Sequence, residues 1–375
     1  MPTDNIIATW VRNLSFLIID TYYPQVLTEF YSRLGERVNR MSYSQIKREL
    51  LNLRFGTSDY YSRNLRKLGH EAEEVIINDE RFFRGSIIPN KYVGVVPAVL
   101  VNSVNQWNMF KQVERLVVSR KPDVLYVQNI SLLWESNLRK LKRHCRLIVG
   151  QIAAPLPPRI FLEGYDLILT SLPHFVSRIN NLGVNSEYLK IGFEVSLLNE
   201  FKPTERKYDV VFIGGFTPHH SSGNEVLEEV SKRIKIDYWG YGTEHLNPRS
   251  EIIKSYHGPS WGRNMYKILN QAKICVNRHI DIADGYANNM RLYEATGMGA
   301  LLVTDNKMNI TELFAPGKEI IVYDNSADLV SKIEYYLRHP REREKIAAAG
   351  QRRTLKDHNY EVRMREMTAI VKKYL

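Results

Sequence analysis

Short apolar runs that alternate with helical patterns leave this chain few architectures to choose from. SFLIID (Ser15 to Asp20), EEVII (Glu73 to Ile77), DVLYVQ (Asp123 to Gln128), RLIVGQ (Arg146 to Gln151) and DLILTS (Asp166 to Ser171) each read as a buried parallel strand. Helical stretches lie between them, such as Asp59 to Leu68, which Gly69 stops, and Trp107 to Ser119. A strand buried on both faces needs helices above and below it, so the pattern predicts an α/β, Rossmann-like layer. A tyrosine-rich segment from about Tyr22 to Gly56 breaks the alternation and reads as an inserted pair of helices. FEVSLLNEFKPTERK (Phe193 to Lys207) is polar, holds Pro203 and has no period, so it reads as a linker. The alternation then restarts with YDVVFIGG, IKIDYWGYG, KICVNRH, ALLVTD and EIIVYD. Two alternating halves predict two Rossmann-like domains facing across a cleft, residues 1–200 and 201–358, with the insertion at 22–56.

The charge narrows the partners. A formal net charge of +11 favours an anionic partner: nucleic acid, an anionic membrane face or a phosphorylated ligand. The basic residues are spread along the chain without an arginine-rich tail, so no nucleic acid is expected. Cys145 and Cys275 give neither a disulfide framework nor zinc spacing, and Cys275 in AKICV reads as core. The apolar stretch FLII is too short for a secretion signal and runs into Asp20. No run reaches the roughly 20 apolar residues that span a bilayer. A cytoplasmic protein is expected, with peripheral contact at the inner membrane face left open.

Open parallel sheets bind ligands beyond the carboxyl ends of their strands, and the second half gathers its polar and glycine clusters there. FIGGFTPHH places Gly214 and Gly215 where backbone amides can approach a phosphate, just before a helix start. It lacks the G-x-G-x-x-G spacing, so a dinucleotide is poorly supported. WGYG ends the next strand: Gly240 and Gly242 permit close approach, and Tyr241 can stack on a base. VNRH offers Asn277, Arg278 and His279. In NNMRLYEATGMGALLVTD, Asn288 or Asn289 caps a short helix that carries Arg291 and Glu294 on one face. Arg291 suits phosphate oxygens, and Glu294 suits two ribose hydroxyls.

These residues resemble the donor-binding domain of the GT-B fold glycosyltransferases. Within them, the likeness is to the bacterial group labelled spore-maturation-protein-like, with a glycosyl-transferase-family-1-type C-terminal domain. It runs from about Tyr208 to Met367 and is strongest in NNMRLYEATGMGALLVTD and in ELFAPGKEIIVYDNSADLVSKIEYYLRHPREREKIAAAG. RFGTSDYYSRNLRKLGHEAEEVI is similar to the opening of the family's acceptor domains. The resemblance implies sugar transfer, as in bacterial polysaccharide biosynthesis, from a nucleotide-sugar donor to a glycan, lipid-linked glycan or protein. It also implies a final helix, 359–375, that crosses back to the first domain. Glu294 matches the second acid of the family's Glu-x7-Glu pattern, while Tyr286 stands where the first would be, leaving Asp284 or Asn288 to substitute. The usual Arg/Lys pair for the diphosphate is missing from GGFTPHH, and His219, His279 and Arg291 stand in for it. No D-x-D motif stands at a strand end, so no metal and no cofactor are expected.

An inverting transfer needs a base near the acceptor hydroxyl. Asp59 in GTSDYY is the first candidate, with a helix cap as its alternative role. Asp20, at the end of the first strand, is second, and His174 in SLPHF is third. Two other readings compete: a nucleotide-sugar epimerase of the same fold, and a basic nucleic-acid binder.

Overall fold

The computed structural model describes residues 13–79 and 98–375. The apolar runs form strands, and every strand pair is parallel. The first sheet holds β1 (Ser15–Asp20), β2 (Glu71–Ile76), β3 (Val124–Val127), β4 (Leu147–Ile152), β5 (Leu167–Thr170) and β6 (Ser186–Tyr188), in the order β2-β1-β3-β4-β5-β6. The second holds β7 (Tyr208–Gly215), β8 (Asp237–Tyr241), β9 (Ala272–Asn277), β10 (Leu301–Asp305) and β11 (Ile321–Tyr323), in the order β11-β10-β9-β7-β8. Strand order reverses between β1 and β3 and again between β7 and β9, and crevices open at such points. Asp20, Gly215 and Asn277 therefore end strands at the two crevices.

The insertion folds as helices Pro24–Leu34 and Tyr43–Leu51, joined by a 3₁₀ segment, Gly35–Arg40. Pro24 suits a first helical turn, and Ser42 and Gln45 form a capping box at the second helix. The pair closes a small core of its own around Tyr22, Val26, Phe30, Val38, Ile46 and Leu50.

The segment read as a polar linker is more structured than its composition suggests. Phe193, Glu194 and Leu197 are buried, and Leu197–Glu200 is a helical turn. Its pattern was hidden because the burial comes from both domains rather than from one face. Glu200 accepts hydrogen bonds from Arg54 Nη2 of the insertion at 2.7 Å and from Arg263 Nη1 of the second domain. Beside it, the Arg263 amide donates to the Leu53 carbonyl at 2.9 Å. Gly262 has φ +48°, and a Cβ there would lie 2.0 Å from that same carbonyl, so only glycine fits. The helix Tyr360–Lys372 returns to the first domain and packs on the helix Tyr60–Lys67, with the Tyr360 ring 5.3 Å from that of Tyr60. On the way, Phe193 and Asn359 pair: the Phe193 amide donates to His358 at 2.8 Å and its carbonyl accepts from Tyr360 at 3.0 Å.

Removing the Glu200 carboxylate leaves the buried Arg54 with Asp59 alone and Arg263 without an ion partner. Glu200→Ala is expected to cost about 1–3 kcal/mol, the penalty for a buried group losing its partner. The urea midpoint checks this, and an unchanged midpoint would show that the joint adds no stability.

Candidate functional site

The carboxyl ends of β7 and β9 open into a cavity of about 270 Å³ that also touches the insertion. Its polar wall begins with Gly214 and Gly215. Gly240 is the register partner of Gly214 on β8: at φ +145° its Cβ would sit 1.7 Å from the Gly214 carbonyl oxygen. Gly242, at φ +82°, turns the chain away after β8. Neither Gly240 nor Gly242 faces this cavity; both line a neighbouring one.

Arg278 dominates the polar wall. Its Nη2 donates to the Gly215 carbonyl and to Asn224 Oδ1, both at 2.6 Å, and the guanidinium lies 5.3 Å over the Phe212 ring. Burial lowers its pKa to about 10, so it stays charged near neutral pH. Its Nε is buried with no hydrogen-bond partner. A buried charged donor without an acceptor is costly, and here it lies in the wall of a cavity.

Asn289 organises the next turn. Its Oδ1 accepts from the Leu292 amide at 3.3 Å, in the first turn of the helix Arg291–Gly297. Its Nδ2 donates to Asn277 Oδ1 at 2.8 Å and to the Arg278 carbonyl at 3.0 Å. Asn277 and Asn289 line the cavity, whereas Asn288 is buried outside its wall and Asp284 is exposed. Arg291 and Glu294 both line it. Their charges meet, with Nη1 2.8 Å from Oε2, although that nitrogen lacks hydrogen-bond geometry toward any partner. Burial raises the Glu294 pKa and Arg291 opposes the rise. Tyr266 donates to the other carboxylate oxygen at 3.4 Å.

Two histidine expectations are corrected. His219 is exposed on its 3₁₀ turn, and the neighbouring His220 lines the cavity instead. His220 Nδ1 lies 2.9 Å from Thr217 Oγ1. Burial, with the charge of Arg278, lowers its pKa to about 4, so it is neutral at pH 7. His279 is turned away from the cavity: its Nδ1 lies 2.7 Å from Asp305 Oδ1, behind the wall. Burial alone would raise Asp305, but His279 and Lys307 hold it down at about 2.

The opposite wall is aromatic and comes from both domains. Tyr23 and Phe55 belong to the insertion, Tyr241 ends β8, and Trp261 precedes the helix Gly262–Asn270. Trp261 lies 5.7 Å from Tyr23, 5.9 Å from Phe55 and 5.4 Å from Tyr241.

The three base candidates separate clearly. Asp59 is clamped between Arg54 at 3.0 Å and Arg63 at 2.6 Å and does not line this cavity, so it belongs to the interdomain joint. It makes no cap hydrogen bond either, because both oxygens are taken by the guanidiniums. His174 stacks on Tyr286 at 5.2 Å and 16°, away from the cavity, and burial lowers its pKa. That stack gives Tyr286 a structural use at the position where the resemblance implies an acid. Asp20 accepts from the Thr21 amide at 2.7 Å and from the Thr57 hydroxyl. Thr57 follows Gly56, which lines the cavity, and accepts from Gln128 at 2.6 Å. Burial raises the Asp20 pKa to about 6.

Two guanidiniums, a neutral imidazole and paired glycines can hold a diphosphate. A buried carboxylate can grip a diol, and an aromatic wall can take a flat ring. Residues 222–369 match the glycosyl transferase-like family model. The match takes in β8 to β11 together with Arg278, Arg291 and Glu294. No curated protein matches the chain. Similar solved structures include a glycosyltransferase from Rickettsia africae, at 12% identity and a TM-score of 0.55, covering 97% of this chain and 99% of that one. The HepE protein of Anabaena in complex with UDP-glucose has 10% identity and a TM-score of 0.57, covering 96% and 100%. Sucrose-phosphate synthase of Thermosynechococcus elongatus has 10% identity and a TM-score of 0.57, covering 96% and 99%. These likenesses show the fold: two parallel-sheet α/β domains in the GT-B arrangement.

Proposed function

We propose that this protein transfers a sugar, of hexose type, from a nucleotide-sugar donor to a hydroxyl of a glycan, lipid-linked glycan or protein. The observation that carries the reading is the meeting of Arg278, Arg291 and Glu294 in one cavity at the carboxyl ends of β7 and β9. Arg278, Arg291 and His220 would hold the diphosphate, and Glu294 the ribose. The two arginines supply counter-charge to the leaving diphosphate, which supports transfer without a metal. The UDP-glucose held by the Anabaena protein of similar fold supports a uridine donor. Asp20 would take the proton of the acceptor hydroxyl. The net charge of +11 supports work at an anionic membrane face from the cytoplasmic side, as bacterial polysaccharide synthesis would require. Among the described residues, no helix is long and apolar enough to cross a membrane.

Glu294→Gln is expected to weaken UDP binding about tenfold, or about 1.4 kcal/mol. Arg291→Ala should weaken UDP far more than uridine. Calorimetry with both ligands decides the matter. Unchanged UDP affinity in Glu294→Gln would reject the ribose role. Equal losses of UDP and uridine in Arg291→Ala would mark the pair as structural. Conversion of donor without any acceptor would instead identify an epimerase.

A further inference from the structure

Behind the aromatic wall lies a second cavity of about 490 Å³. Tyr23, Tyr241 and Trp261 form the partition between the two. The far side is built by Gln25 and Glu29 of the insertion and by Thr243 and Glu244 after β8. Among the described residues, no lysine or arginine lines it, whereas two arginines line the first cavity. Tyr23 and Tyr241 are large aromatics left 47% and 38% exposed. The Trp261 indole N–H is buried with no partner.

We propose that this second cavity holds an uncharged saccharide unit of the acceptor, a reading that rests on glycosyl transfer as the function. A sugar ring has apolar C–H faces that stack on aromatic rings and hydroxyls that donate to carboxylates and amides. Gln25, Glu29 and Glu244 offer those acceptors beside three rings. Two carboxylates, with no cation among the described lining residues, repel an anionic ligand, which selects against uronic acids and phosphorylated units. The volume falls within the range of about 300–1,000 Å³ typical of ligand pockets. Because the insertion supplies Tyr23, Gln25 and Glu29 and the second domain the rest of the lining, the saccharide is held only where both meet.

Saturation-transfer NMR tests this with cellotriose, maltotriose and chitotriose as neutral ligands and trigalacturonate as the anionic one. At least one neutral trisaccharide is expected to bind and trigalacturonate is not, with saturating UDP leaving the saccharide in place. The Gln25→Ala/Glu29→Ala variant should lose at least tenfold in saccharide affinity and keep its UDP affinity, which also certifies its fold. Glu29→Lys with Glu244→Lys should admit trigalacturonate. Displacement by UDP would assign the cavity to the nucleobase and overturn the proposal. So would the absence of any neutral binder, or an undiminished double variant. If UDP binds while no saccharide does, the donor reading stands and this one alone falls.

Discussion

Asp20→Asn is expected to lower kcat by about 100-fold or more and to leave UDP affinity unchanged. A positioned base contributes about that much, and Asp20 lies outside the lining of the donor cavity, bonded to Thr57, the neighbour of Gly56 in its wall. The pH profile follows from its pKa of about 6: the charged form accepts the proton, so activity should rise through pH 6. The effect on stability has the opposite sense. The folded pKa lies above the ordinary value of 3.8, so the folded state holds the proton more tightly between the two. Burying the charge therefore destabilises the fold increasingly as pH rises from about 4 to 6, and the cost stays above that. Asn removes the charge. The variant should gain melting temperature relative to the parent protein at pH 8, and gain less or nothing at pH 4. Asp59→Asn should do the reverse, because it loosens the contacts with Arg54 and Arg63: kcat near normal, melting temperature lowered. If Asp59→Asn abolished turnover in a stable protein while Asp20→Asn stayed active, the two roles would have to be exchanged.

Arg278→Met should weaken UDP binding about 10- to 100-fold and barely affect uridine. Methionine keeps volume against Phe212 and Gly223 while removing the charge. A hydrogen bond to a charged group contributes about 1.5–3 kcal/mol. The salt dependence of UDP binding should also flatten, since one cation facing the diphosphate is gone. Equal losses for UDP and uridine would mean that Arg278 only braces Gly215 and Asn224.

The domain-level pattern was legible because it depends on local order. A parallel strand buried on both faces is a run of apolar residues wherever it stands, and β1, β3, β4, β5 and β7 stand where such runs do. β6 was not legible: Ser186–Tyr188 is three residues long and carries a glutamate, so it has no pattern to detect. At the cavity, Gly214, Gly215, Asn289, Arg291 and Glu294 were legible as a polar set at strand ends. The neighbouring choices were not. Arg278 and His279 are adjacent, and only the direction of the chain beyond β9 decides which faces the crevice. The same holds for His219 and His220 on a 3₁₀ turn. Tyr23 and Phe55 read as the core of an insertion because Trp261, the ring they meet, lies more than 200 residues away. Asp59 read as a base candidate at a helix opening because, beside its i+4 neighbour Arg63, Arg54 becomes its second partner only once the chain turns at Ser58, which has φ +47°.

The pairing of Phe193 with Asn359 has a mechanical meaning. The chain passes between the domains twice, and the two passages lie side by side, tied by two hydrogen bonds. A single tether would act as a swivel and let one domain turn freely against the other. Two tethers bound together act as a door hinge, with one axis and little twist. Were the domains to part, the Gly262–Leu53 contact would swing along one arc and return to the same place, with the aromatic wall rebuilt in register.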